Sequence, residues 1–114
     1  WEIPEGGGSI RENEDMEKAA RRELREETGL SAETLTSLFK VHTSNSVTDE
    51  WGEVFLAKGL QQGESAPEHT EDITVVSLTL EEAYHAVENG YVTDALSIAA
   101  IYKLRLMQAL GELD

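Results

Sequence analysis

The chain has 114 residues, 23 acidic and 9 basic, for a formal net charge of −14, and it contains no cysteine. That length suits one domain, residues 1–114, with a modest core, and the missing thiols exclude a disulfide framework, a thiolate metal site and a cysteine nucleophile. The charge repels nucleic-acid backbones and anionic membranes, so neither is expected as a partner, and no apolar run approaches the roughly 20 residues of a membrane-spanning helix.

No signal peptide is visible, and the lack of cysteine is compatible with a reducing cytoplasm, the expected location. The chain opens on Trp1 rather than Met, so a processed or truncated piece of a longer chain is expected. Trp1 to Pro4 reads as the end of a strand running into Gly6-Gly7-Gly8, where the backbone reaches conformations closed to other residues and a ligand can come close. No Gly-Lys-Ser/Thr follows, so this is not a Walker loop.

The next stretch is dense in Glu, Ala, Arg, Leu, Lys and Met, all strong helix formers. Asn13 or Asp15 can cap its start and Gly29 fits its stop. At 100° per residue, Met16, Ala19, Ala20 and Leu24 share a narrow apolar face. Glu23 and Glu27 fall near the centre of that face and Glu26 flanks it, while Lys18, Arg21 and Arg25 point the other way. Like charges at i+3 and i+4 repel, the last turns of a helix favour cations, and an inward carboxylate is costly when unpaired. A hard divalent cation, magnesium or manganese, would remove all three conflicts. The other reading is a surface helix whose glutamates pair with basic neighbours; Arg22 reaches Glu26 at i+4.

Leu35 to Thr43 is β-rich and partly alternating, Ser44 to Asp49 is a turn, and Trp51 to Leu60 is a second strand, expected antiparallel to the first. His42, near a strand end, is read as structural or solvent-facing. Gln61 to Asp72 is a long polar loop, a type often functional. Ile73 to Leu80 reads as a buried strand. A short helix is expected over Glu81 to Asn89, with Thr79 as cap and Gly90 as stop, and a last helix over Asp94 to Leu110, whose wide apolar surface is read as core or dimer contact. Trp1, Trp51 and Tyr91 could stack on a nucleobase, although aromatic side chains more often pack in cores. The order of elements fits an α/β (α+β) helix–sheet–helix sandwich with a mixed sheet.

Gly8, Glu14, Arg22-Glu23-Leu24, Glu26-Glu27 and Gly29-Leu30 reproduce all nine specified positions of the pattern G-x5-E-x7-R-E-U-x-E-E-x-G-U, with U aliphatic. The chain thereby resembles the Nudix hydrolases, which cleave a nucleoside diphosphate linked to another group with the help of divalent metal. The resemblance implies Mg2+, with Mn2+ as an alternative, held by Glu23, Glu27 and Glu26, with Glu23 and Glu27 the principal ligands and the carbonyl of Gly7 a further one. Arg22 and Glu14 correspond to the pair that orients the glutamates, and Gly8, Leu24, Gly29 and Leu30 are structural. The family has strands before the point where this chain starts, so the N-terminal strands of the sandwich are expected to be missing.

Later motifs are less specific but extend the likeness over most of the chain. Asp49-Glu50, Val54-Phe55-Leu56-Ala57, Glu71-Asp72-Ile73, Leu80 to Tyr84, Asn89 to Ala95 and Ser97 to Ala100 resemble the branch of ADP-ribose pyrophosphatases and nucleotide-sugar hydrolases. One departure is Ser44-Asn45-Ser46, where that branch has Ser-Pro-Gly, so the substrate within the branch stays open. By the same resemblance Glu71 is the general base, with Glu68, Asp72 and Glu26 as competitors and His69 where the branch often has another glutamate. The expectation is hydrolysis of ADP-ribose or a similar nucleotide sugar to two monophosphates by a homodimer. The rivals are a nucleoside triphosphate pyrophosphohydrolase and a non-catalytic nucleotide-binding module.

Overall fold

The computed structural model describes residues 1–5, 15–42, 51–63 and 74–113. Five elements follow one another: α1 (Met16–Thr28), β1 (Leu30–His42), β2 (Trp51–Gln62), α2 (Leu80–Glu88) and α3 (Ala95–Ala109). Three helices and an antiparallel strand pair make the fold α+β. They fall into two compact units, Pro4–Thr74 and Trp1–Ile3 with Val75–Asp114.

In the first unit, α1 starts where the sequence says it should. Asp15 is extended and its Oδ1 accepts the Lys18 N–H at 2.7 Å, which satisfies one of the donors that every helix start leaves open. The helix ends at Gly29, in the left-handed region at φ 76°, with its N–H on the Arg25 carbonyl at 2.9 Å. Thr28 Oγ1 donates to the Leu24 carbonyl at 2.6 Å and accepts the Leu30 N–H at 3.1 Å. The chain therefore turns directly from helix into strand, and β1 begins at Leu30, five residues before the expected Leu35.

β1 pairs antiparallel with β2, from Leu30 opposite Gln62 to His42 opposite Trp51. The register shifts between Ser37, opposite Phe55, and Phe39, opposite Val54, so Leu38 is the extra residue of a bulge. Such a bulge resets the two-residue alternation, and Leu38 and Phe39 are both half-buried. Val54 is the most buried apolar residue of the pair, at 7% exposure. α1 packs on this ribbon, and its apolar residues Met16, Ala19, Ala20 and Leu24 are half-buried. The sheet of the described residues is this pair; the further strands of a mixed sheet are not among them.

The second unit is built on α2 and α3. Val87, Val92 and Ile101 form its core, with Ala83, Tyr84, Ala86 and Ile98 packed around them. α2 opens on a reciprocal capping box: Thr79 Oγ1 accepts the Glu82 N–H at 3.1 Å and Glu82 Oε1 accepts the Thr79 N–H at 2.8 Å. Hydrogen bonding by Thr79, from its backbone N–H first and its side chain second, holds the Glu82 carboxyl below the ordinary glutamate range. α3 is capped by Asp94, whose Oδ2 accepts the Ser97 N–H at 2.9 Å. Ser97 is fully buried and its Oγ accepts the Ile3 N–H at 2.9 Å, tying the first residues of the chain to α3.

One expected element is corrected. Ile73 lies outside the described residues, but 74–79 join no strand ladder, and Val75, Val76 and Leu78 are 51%, 49% and 51% exposed. Strand propensity reports fit to a pleated, half-buried surface. Here the segment instead delivers Thr79 in the extended conformation that a helix cap needs, φ −69° and ψ 161°.

Candidate active site

The glutamate row stands on the second half of α1. Glu23, Glu26 and Glu27 are all partly buried, and Oε2 of Glu27 is shielded from solvent. Arg22 runs between two of them: its Nη1 donates to Glu23 Oε1 at 2.9 Å and to Glu26 Oε2 at 3.3 Å. Its side chain is only 13% exposed, against 23% for Glu23 and 42% for Glu26. Helical spacing alone explains the Glu26 contact, an i+4 pair. The Glu23 contact joins adjacent residues and requires the guanidinium to lie back along the helix.

Both readings of this helix stay in play: Arg22 pairs with Glu23 and Glu26, and three carboxylates stand within five residues of one another on one helix. Hard oxygen donors placed on successive turns of a capped helix are the donor type that Mg2+ or Mn2+ takes. The residues present therefore fit a divalent metal.

Two further contacts hold the row in place. At the helix end, the Gly29 carbonyl accepts the Gly63 N–H at 2.7 Å, which ties α1 to the end of β2. Midway, Arg21 reaches from α1 to β1. Its Nη1 donates to the Ala32 carbonyl at 2.7 Å, its Nη2 to the Glu33 carbonyl at 3.4 Å, and its Nε to Glu17 Oε2 at 3.3 Å. The helical spacing sets Arg21 away from the apolar face and gives no sign that it reaches β1.

Leu24 is half-buried on α1, and Leu30 starts β1. Gly7, Gly8, Glu14 and Glu71, together with Glu68, His69 and Asp72, lie outside the described residues. His42 is exposed at the end of β1. Of the aromatic residues, Trp1 and Tyr91 are not core residues: they are 66% and 65% exposed, and the Trp1 amino group donates to the Tyr91 carbonyl at 3.2 Å.

The NUDIX domain model matches residues 1–98. The chain belongs to the Nudix family. Among curated relatives, the ADP-ribose pyrophosphatase of Bacillus subtilis (strain 168) is 41% identical over 111 residues, which cover 96% of this chain and 59% of that protein. The methanol dehydrogenase activator of Bacillus methanolicus is 35% identical over 111 residues, with the same coverage of 96% and 59%. A solved structure described as an ADP compounds hydrolase superposes with a TM-score of 0.76 at 25% identity, covering 91% of this chain and 57% of that one. The Nudix chain described here thus spans less than two thirds of the length of these relatives.

Proposed function

We propose that this Nudix chain belongs to a divalent-metal-dependent hydrolase that cleaves the diphosphate linkage of ADP-ribose or a related nucleotide sugar, giving two monophosphates. The observation that carries the reading is the row Glu23, Glu26 and Glu27 on one capped helix, with Arg22 bridging its first two members. The relative from Bacillus subtilis, an ADP-ribose pyrophosphatase at 41% identity, supports the choice of substrate class.

Glu23 and Glu27 would be the principal holders of Mg2+, or Mn2+, with Glu26 and the Gly7 carbonyl completing the set. When bound, the metal neutralises charge on the diphosphate and acidifies the attacking water. Arg22 fixes two of the carboxylates by hydrogen bonds and keeps their mutual repulsion from splaying them. A base must then take the water's proton; Glu71, just before Ile73, is our choice, with Glu26 next. Glu14 would orient the row together with Arg22. Gly8, Leu24, Gly29 and Leu30 shape the loop and helix that carry it. A homodimer is part of the same reading, as is a cytoplasmic location.

The Bacillus methanolicus relative is named for activating another enzyme, so a binding or regulatory role is the second reading. A panel of nucleotides incubated with Mg2+, with products resolved by chromatography, separates them. ADP-ribose giving AMP and ribose phosphate is the expected result. Pyrophosphate released from nucleoside triphosphates in preference would make it a triphosphate hydrolase. Nucleotide affinity without turnover would make it a binding module.

A further inference from the structure

We propose that Arg21 is a positioning residue that sets the rotation of α1 over β1 and thereby the aim of the glutamate row. This inference rests on the metal reading above. It concerns a position that the family pattern leaves unspecified.

α1 has no fully buried residue. Its apolar residues are Met16, Ala19, Ala20 and Leu24, all half-buried and two of them alanines. Such a shallow, small-residue contact gives little resistance to rotation about the helix axis, because apolar burial is non-directional. The anchor at Gly29 and Gly63 fixes the end of the helix but acts near its axis. The Arg21 guanidinium acts off the axis. It spans two consecutive carbonyls of β1, Ala32 and Glu33, at 2.7 and 3.4 Å, and a third contact to Glu17 Oε2 at 3.3 Å steadies its stem. A planar fork of donors locks an orientation that a single ammonium cannot. Arg21 is two residues before Glu23, so a turn of the helix that breaks these bonds also swings the carboxylates. Metal ligands must be held to within about 0.5 Å of their working geometry.

The test uses Arg21→Lys and Arg21→Gln, with Arg25→Gln as an exposed-arginine control on the same helix. Mn2+ binding is read by electron paramagnetic resonance, alongside thermal unfolding and the Mg2+ dependence of nucleotide turnover. Partners of metal ligands are typically worth about 10- to 100-fold in metal affinity, so about tenfold weaker Mn2+ binding is expected in both Arg21 variants. Turnover should approach the wild-type value at saturating Mg2+, and Arg25→Gln should bind like wild type. Arg21→Lys keeps the charge and the aliphatic stem, so it carries the test even if Arg21→Gln folds poorly. A purely structural role would lower the unfolding temperature and leave Mn2+ affinity unchanged; that result overturns the proposal, as does an equal loss in Arg25→Gln. If the wild-type protein binds no Mn2+ and Glu23→Gln changes nothing, the metal reading itself fails and the inference falls with it.

Discussion

On the metal proposal, Glu27 is placed for its chemistry and against the preference of its helix. It sits near the C-terminal end of α1 with one oxygen shielded from water, where a helix dipole and neighbouring carboxylates both disfavour charge. Glu27→Gln and Glu23→Gln should therefore leave the metal-free fold as stable as before or more so, while removing a ligand. Outer-shell partners alone cost about 10- to 100-fold in metal affinity or activity, so each variant should lose more than that in turnover at saturating Mg2+. Near-normal turnover in both, with thermal unfolding unchanged, would refute the ligand assignment. Glu71 is argued on different grounds, as the proton acceptor. Glu71→Gln keeps size and removes basicity, so kcat should fall by about 10² to 10⁴ with KM little changed, the usual range for general-base catalysis. If Glu71→Gln stays active while Glu68→Gln or Asp72→Asn is crippled, the base is another carboxylate of that loop; if all three are active, Glu26 is next.

Among the elements, the helices were legible because their ends are written in local chemistry. Asp15, Thr79 and Asp94 cap, and Gly29 and Gly90 stop, within a residue or two of where propensity and spacing put them. Strands depend on partners far along the chain, which local sequence does not specify. Leu30 to Thr34 pair with Gln62 to Lys58 although Ser, Ala and Glu are poor strand formers, and 74–79 carry strand formers without a ladder. Arg21 was invisible as an anchor for the same reason, since nothing local reports that β1 runs beneath it. Two glycines test how the elements are joined. A Cβ on Gly63 would lie 2.6 Å from the Gly29 carbonyl oxygen, whereas one on Gly59, at φ 70°, would meet the Glu33 side chain at 2.6 Å. The Glu33 Cβ, fixed by the backbone of β1, also stands 2.7 Å away, so Gly59→Ala should cost the left-handed conformation, about 1–2 kcal/mol, plus an overpacking cost of about 1–3 kcal/mol, without touching the end of α1. Gly63→Ala pushes backbone against backbone, with an overpacking cost of about 1–3 kcal/mol, and on the metal proposal it should also weaken Mn2+ binding because Gly29 ends the helix that carries the glutamates. Equal Mn2+ affinity in the two variants, measured beside urea unfolding, would show that this joint does not position the row. At α2 the check is pH. The folded Glu82 carboxyl is held below its ordinary range by Thr79, so its contribution is present above the unfolded value and is lost as pH falls through the folded one. The stability gap between wild type and Glu82→Gln should therefore be wider at about pH 7 than at about pH 3; a gap independent of pH would remove the carboxylate from the cap.

For the whole molecule, the decisive quantity is the net charge of −14. So acidic a chain should be stabilised by any salt, because self-repulsion destabilises a compact state and mobile ions screen exposed charges beyond about 8 Å at physiological ionic strength. A rise in unfolding temperature on adding Mg2+ is thus not, by itself, a sign of a site. The two causes differ in form. Screening depends on ionic strength, is reproduced by sodium chloride at matched strength, and does not saturate at low Mg2+. Binding to a site in the folded state alone stabilises by RT ln(1 + [L]/Kd), about 2.7 kcal/mol at a hundred times Kd. It also needs particular residues. With ionic strength held constant, Mg2+ should raise wild-type stability along that saturating curve, and the gain should vanish in Glu23→Gln with Glu27→Gln. That double variant should still respond to sodium chloride, because replacing two of 23 acidic residues leaves the overall field nearly intact. Urea unfolding across a Mg2+ titration, each point matched in ionic strength, separates the two outcomes. A wild-type gain that sodium chloride reproduces in full, or that survives in the double variant, would mean that the glutamates of α1 act only as part of a diffuse acidic surface, and the proposed metal centre would be wrong.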